Sequence, residues 1–217
     1  MIDGIQVVVG PEAVVVIAMT PLSVVSSAAV GGGFGRARAI VNLHVPKNYP
    51  CDDPAGDVAR FCRARGIPEP YVGLLTSAWT EKAAMATETS KGVTALAVAT
   101  VGLGNPVGAG GSPVAAWQPS TINTIVVLDA DPTPPAMVNA VMTATEAKTL
   151  ALIGAGVRSP EGALASGTST DAVVIAATGR GARHRFGGPV SDLGWVVARA
   201  VRAALDDGIR RWKVDNA

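Results

Sequence analysis

The stretch Thr121–Gly156, "TINTIVVLDADPTPPAMVNAVMTATEAKTLALIGAG", decides the fold. Residues 121–130 form a run rich in Ile, Val and Leu with no charge before Asp129, which reads as a strand buried on both faces. Asp131 or Thr133 then caps a helix opened by Pro134 and Pro135, because proline gives up nothing in a first turn whose N–H groups lack partners anyway. That helix runs to about Ile153 and stops at Gly154-Ala155-Gly156. A buried strand feeding straight into a long helix implies a sheet with helices laid on it.

Working outward, "TDAVVIAAT" (170–178) is a second buried strand, and residues 190–213 form a closing amphipathic helix with Arg and Lys near its C-terminal end. On the N-terminal side, "IQVVVGPEAVVVIAM" reads as a hairpin, residues 5–9 and 13–19, turning at Gly10-Pro11-Glu12. "ARAIVNLHV" (37–45), "YVGLLTSA" (71–78) and "VTALAVATVG" (93–102) are further strands, and "AGDVARFCRARG" is a short helix. Strands first, then strands interleaved with helices, predict an α/β fold of the α+β type: one domain over residues 1–217, with a mixed β-sheet flanked by helices.

The totals narrow the function. Apolar residues make up 48% and aromatics only 4%, so the core is built from small side chains. A net charge of +1, with no basic run interleaved with aromatics, argues against nucleic acid as a partner. Ala13–Val30 is apolar but carries Pro21 and several hydroxyls, and it falls short of a membrane span. No basic residue precedes it, so it does not read as a secretory signal. Cys51 and Cys62 are the only cysteines, which fits a reducing compartment; a cytoplasmic location is expected. "GGGFGRAR" (31–38) has the glycines of a phosphate loop without its Lys-Ser/Thr ending, and no metal-ligand spacing is present.

Polar residues that could carry chemistry gather in few places. Asn139, Thr143 and Glu146 share one helix face, with Val138, Val141, Met142, Thr145 and Leu152 opposite. Short polar groups flanked by alanines suit a pocket wall, although a polar stripe is commonly a helix's wet side. In "SGTSTD" (166–171), the hydroxyls and amides around Thr168, Ser169 and Thr170 suit an anion or a carbonyl oxygen; equally, they suit a turn that satisfies its own backbone. Asp171 either orients a histidine or caps that turn. His184, in the loop "RGARHRFGG", is the first candidate proton carrier. His44, on one strand face with Asn42, is the second. The glycines at 179, 181, 187 and 188 suggest that the His184 loop folds back to meet the hydroxyl loop at one site.

Several segments together resemble the adenosylcobinamide amidohydrolase family: "GGGFGRARAIVNLHVPKNY", "YVGLLTSAW", "ALAVATVGLGNPVGAG", "STINTIVVLDADPTPPAMVNAVMTATEAKTLAL" and "ALASGTSTDAVVIAATG". "ARHRFGGPVSDLGWVVARAV" fits its last segment, and the match runs in order from about Leu22 to Leu205. Two departures stand out. Pro106 follows Asn105 where an alanine is expected, and the hydroxyl neighbours of the loop histidine are missing around His184. The resemblance implies hydrolysis of the amide joining aminopropanol to a propionyl side chain of the corrin ring, giving adenosylcobyric acid for corrinoid salvage in coenzyme B12 assembly.

On this reading His184, Glu146 and Asp171 form the catalytic set. Asn42, His44, Asn105, Asn123, Thr143, Thr168, Ser169 and Thr170 bind substrate. No cofactor is firmly implied, because the corrinoid substrate carries its own cobalt. The expected partner is that small molecule, with no nucleic acid and no membrane, and a homo-oligomer is compatible with the sequence. A non-catalytic corrinoid-binding protein, an acyltransferase using a hydroxyl of 166–170, and an amidase acting on another amide are the alternative readings.

Overall fold

A computed structural model describes residues 2–114 and 120–216. In chain order the elements are β1 (Ile5–Val9), β2 (Ala13–Ser26), β3 (Gly33–His44), α1 (Pro54–Arg65), β4 (Tyr71–Thr76), a 3-10 turn (Thr80–Lys82), β5 (Ala84–Ser90), β6 (Val93–Val101), β7 (Pro106–Val107) and β8 (Ile122–Asp129). There follow β9 (Asp131–Pro132), α2 (Pro134–Gly154), β10 (Gly167–Thr168), β11 (Ala172–Ala177), β12 (Arg183–His184) and α3 (Asp192–Asp215). The main sheet runs β4-β3-β2-β11-β8-β6-β5, with β1 also paired to β2. It is mixed: β3 with β4 and β8 with β11 are parallel, and the other pairs are antiparallel.

This sheet doubles back on itself. β4 and β8 stand four strands apart, which in a flat sheet is roughly 19 Å. Yet Asn123 Nδ2 on β8 donates to the Leu75 carbonyl on β4 at 2.9 Å. The bend lies in β2, whose register with β3 shifts between Ile17 and Leu22. Pro21 sits there, where β1 has ended and β11 has not begun, so its missing N–H breaks no ladder bond.

Alternation along each strand then fills three apolar spaces. Between the two halves lie Val14, Val16, Ile40 and Leu74 from one side, and Leu96, Val98, Ile125, Val127 and Val174 from the other. Ala13, Val15 and Val41 face outward against Val58 and Cys62 of α1. Ala95, Ala97, Val126, Leu128 and Ile175 face the opposite way against α2 and α3. The order is helix, half-sheet, half-sheet, helix pair, a single mixed α/β domain as expected.

The glycine cluster, which lacks the ending of a phosphate loop, runs into β3, where Gly33 to Ala37 pair with β2. Two local readings are corrected. Strand β5 went unread, since "AMATETS" shows only the weak alternation of a strand with one half-exposed face. The α2 stripe is inverted: Ala136, Met137, Ala140, Thr143, Ala144, Ala147, Lys148, Ala151 and Leu152 are buried. Val138, Met142, Leu150 and Ile153 are exposed.

The glycines near His184 also serve a different purpose. Gly179 and Gly181 take the left-handed backbone region, φ 75° and 77°. Gly187 instead permits close approach, because a Cβ there would collide with the Ala136 carbonyl oxygen of α2. Thr143 Oγ1 donates to the Gly187 carbonyl at 2.9 Å, which ties the loop to that helix. Gly187→Ala is expected to destabilise the fold by about 1–3 kcal/mol, the usual penalty of overpacking. A urea denaturation midpoint equal to that of the wild-type chain contradicts this packing.

Candidate active site

Polar side chains are scarce in the interior, and most of those present converge at one end of the space between the two half-sheets. Asn42 near the end of β3, Thr76 ending β4, Thr100 near the end of β6, and Thr121 and Asn123 at the start of β8 are all buried. Asn123 Nδ2 donates to Asn42 Oδ1 at 2.8 Å, and Asn42 Nδ2 donates to Thr100 Oγ1 at 2.9 Å. Both amide protons of Asn123 are thus used, one on each neighbouring strand of the opposite half. Thr121 Oγ1 donates to the Thr170 carbonyl at 2.8 Å and reaches Asn123 Oδ1 at 3.3 Å.

Asp171 is the anchor beside this network. Its Oδ1 accepts from the Ile122 amide at 2.9 Å and from the Thr168 hydroxyl. Its Oδ2 accepts from the Thr168 amide at 3.0 Å and from Lys148 Nζ. A carboxylate has about four acceptor sites, and four donors fill them. Asp171 therefore holds the hydroxyl loop, β8 and α2 in one place and has no lone pair left for proton transfer. Lys148 and Asp171 are both 9% exposed, so the pair is nearly dry. Gly167 is required next to them, because a Cβ would strike the Asp171 carboxylate.

Around this floor are two hollows that share Ser77. A recess of about 180 Å³ is bordered by Tyr49, Thr76, Thr121, Asn123, Thr170 and Asp171. A cavity of about 400 Å³ adjoins it, bordered by Trp79, Gly104, Asn105, Ser120, Arg211 and Trp212. Burial and the Asp57 carboxylate, which accepts from the Tyr49 hydroxyl at 2.5 Å, push the Tyr49 phenol well above its ordinary pKa, so it stays a neutral donor.

The structure brings together Asn42, Asn123, Thr168, Thr170 and Asp171. Ser169 joins them through Asn105, whose Nδ2 donates to the Ser169 hydroxyl at 2.6 Å. His44 stands at the same end: its Nδ1 lies 3.0 Å from the Ala78 carbonyl, and its ring stacks on Trp79 at 5.4 Å. A carbonyl only accepts, so Nδ1 carries the proton and Nε2 is the free acceptor.

His184, Glu146 and Thr143 do not join this group. β12 pairs His184 with Pro132, just past the far end of β8, while Asp171 precedes the near end of β11. The six residues of β11 separate the two loops by roughly 20 Å. The fold-back expected for the glycine loop therefore does not occur: β11 is extended, and the loop packs on α2. Glu146 is exposed on the outer side of α2. Lys148, Thr121, Thr100 and Trp79 escaped the sequence reading. Lys148 had a signal, as a lone cation four residues from Ala144 and from Leu152 on the alanine face.

The whole chain, residues 1–217, matches the family model described as adenosylcobinamide amidohydrolase. The chain belongs to the adenosylcobinamide amidohydrolase family. It is an amidohydrolase acting on a corrinoid small molecule, as the motifs implied. No curated protein sequence matches it. Among solved structures it shares its fold with the PH0078 protein from Pyrococcus horikoshii OT3, at 13% identity and a TM-score of 0.51, over 97% of this chain and 80% of that one. A Burkholderia sp. beta-aminopeptidase aligns at 14% identity and a TM-score of 0.46, over 91% and 78% of the two chains. The L-aminopeptidase D-Ala-esterase/amidase of Ochrobactrum anthropi aligns at 11% and 0.42, over 95% and 83%. Among the described residues, no helix of this amidohydrolase is long and apolar enough to cross a membrane.

Lys148→Met leaves the Asp171 carboxylate buried without its cation. A loss of roughly 3–5 kcal/mol in chemical denaturation is expected, as for other broken buried pairs. Glu146→Gln, on the outer face, should stay within about 0.5 kcal/mol of wild type. Equal stability of the two variants contradicts the placement of Lys148.

Proposed function

We propose that the mouth between the half-sheets is where this amidohydrolase cleaves adenosylcobinamide, with the amide arm in the smaller recess. The observation that carries the reading is the convergence of the buried Asn42, Thr76, Thr100, Thr121 and Asn123 side chains at the end of the interlayer space where that recess opens. Its volume equals roughly six water molecules, too little for a corrin and enough for an aminopropanol arm. The macrocycle then lies across the mouth and over the neighbouring cavity.

Hydrolysis adds the oxygen of water to the carbonyl carbon, breaks the C–N bond and delivers a proton to the departing amine nitrogen. His44 replaces His184 as the proton carrier in this proposal. Its Nε2 takes the proton of the attacking water and returns it to the amine. The Ser77 hydroxyl borders the recess and faces the developing oxyanion, while Thr121, whose one hydroxyl proton goes to the Thr170 carbonyl, holds the hydroxyl loop beside it. Asn42, Asn123, Asp171 and Lys148 act by fixing those groups, since their own hydrogen bonds are spent on the scaffold. Ser169, Thr170 and Asn105 line the way in and meet the peripheral amides of the corrin.

The cobalt in this reaction is the substrate's own in our reading. Among the described residues, no three His, Cys, Asp or Glu side chains stand close enough to hold a metal ion. Turnover is expected to be unchanged after dialysis against a chelator, and a loss restored by a divalent cation refutes this part of the proposal. A cytoplasmic location fits the same reading, because corrinoid salvage feeds an intracellular synthesis.

His44→Gln should lower adenosylcobyric acid formation on the order of 10²–10⁴-fold, the usual contribution of a placed acid–base group. Ser77→Ala, which removes the donor, should cost on the order of 10²–10³-fold. His184→Gln should leave turnover unchanged. Mass spectrometry of the product gives all three rates, and a collapse in the His184 variant with a normal His44 variant sinks the assignment.

A further inference from the structure

Trp79 offers one indole face to the larger cavity while its other face is covered. The residue is 61% exposed and stacks on His44 with an interplanar angle of 14°. The short turn that follows it is held from both ends. Thr80, fully buried, donates its hydroxyl to the Gly10 carbonyl at 2.7 Å, and Lys82 pairs with Asp215 of α3 at 2.6 Å. An isolated exposed aromatic calls for no explanation. This one is rigid, borders a cavity of about 400 Å³ next to the recess, and has Trp212 on the same cavity's wall.

We infer that Trp79 stacks on the adenine of the substrate's adenosyl ligand and so makes the enzyme select adenosylated corrinoids. This rests on the mouth being the site of reaction. The adenine is the planar heteroaromatic group that adenosylcobinamide carries, and every nucleobase presents a π face to a rigid indole. With the amide arm in the recess, the group projecting from the cobalt reaches the adjoining cavity. The Ser120 side chain on its wall meets the polar edge of the base.

The test compares binding of adenosylcobinamide with that of methylcobinamide, the same corrin with a methyl group in place of the adenosyl. Wild-type protein should bind the adenosyl form about 5- to 100-fold more tightly, the range that base–aromatic stacking supplies. Trp79→Ala should bring that ratio close to one by weakening the adenosyl form alone, and Trp79→Phe should keep part of it. A wild-type ratio near one overturns the inference. So does a Trp79→Ala ratio equal to wild type, or an equal loss on both corrinoids, which makes Trp79 a support for His44 or the corrin ring. Failure of the site itself is separable: it shows as full turnover in Ser77→Ala, whatever Trp79 does.

Discussion

Asn123 has two amide protons to satisfy while almost wholly buried. It is 1% exposed, and it finds acceptors on β3 and β4, in the half-sheet facing its own. That requirement couples the two layers. An unpaired amide buried at this depth costs free energy comparable to a lost hydrogen bond, so any slip of one half-sheet over the other carries that cost. The interlayer core of Val, Ile and Leu is non-directional and resists such a slip weakly. The amide network supplies the register that the apolar contacts lack, and the recess exists because that register is held.

The same logic explains which residues remain available for chemistry. Asp171 has four donors on its two oxygens, and Lys148 balances its charge. Asn42 and Asn123 spend their hydrogen bonds on one another and on Thr100 and Leu75. Groups committed in this way stiffen the walls and are poor at moving protons. What is left around the recess is a set of hydroxyls, and beside Thr76 in the β3–β4 pairing stands the His44 imidazole, with its Nδ1 against the Ala78 carbonyl.

Much of the architecture was legible because strong apolar runs flanked by Pro and Gly have one plausible reading. β8, α2, β11 and α3 fall within a few residues of their expected bounds. The errors share a physical cause. Large apolar residues were taken as the inside of α2, but its inside is a row of alanines that lets the helix lie close on strands equally rich in alanine. Val138 and Met142 are too bulky for that seam and face outward. Tight helix–sheet packing inverts the usual equation of size with burial, and Lys148 was overlooked because it stands on the alanine side.

The expected meeting of the His184 loop with the hydroxyl loop failed for a different reason. Hydroxyls and His184 are neighbours in sequence, separated only by one strand, and sequence proximity suggested a shared site. An extended strand does the opposite of a turn: it carries the loops on its two sides to opposite ends of the strands. His44 is far from the hydroxyl loop in sequence, yet β3 and β11 are both neighbours of β2, and the bend in β2 lays the end of β3 over the start of β8. The doubled sheet, not the spacing of motifs, decides which histidine stands at the end where the buried amides converge. No local pattern announces that bend beyond a single proline at position 21, set between two partners that each leave it unpaired.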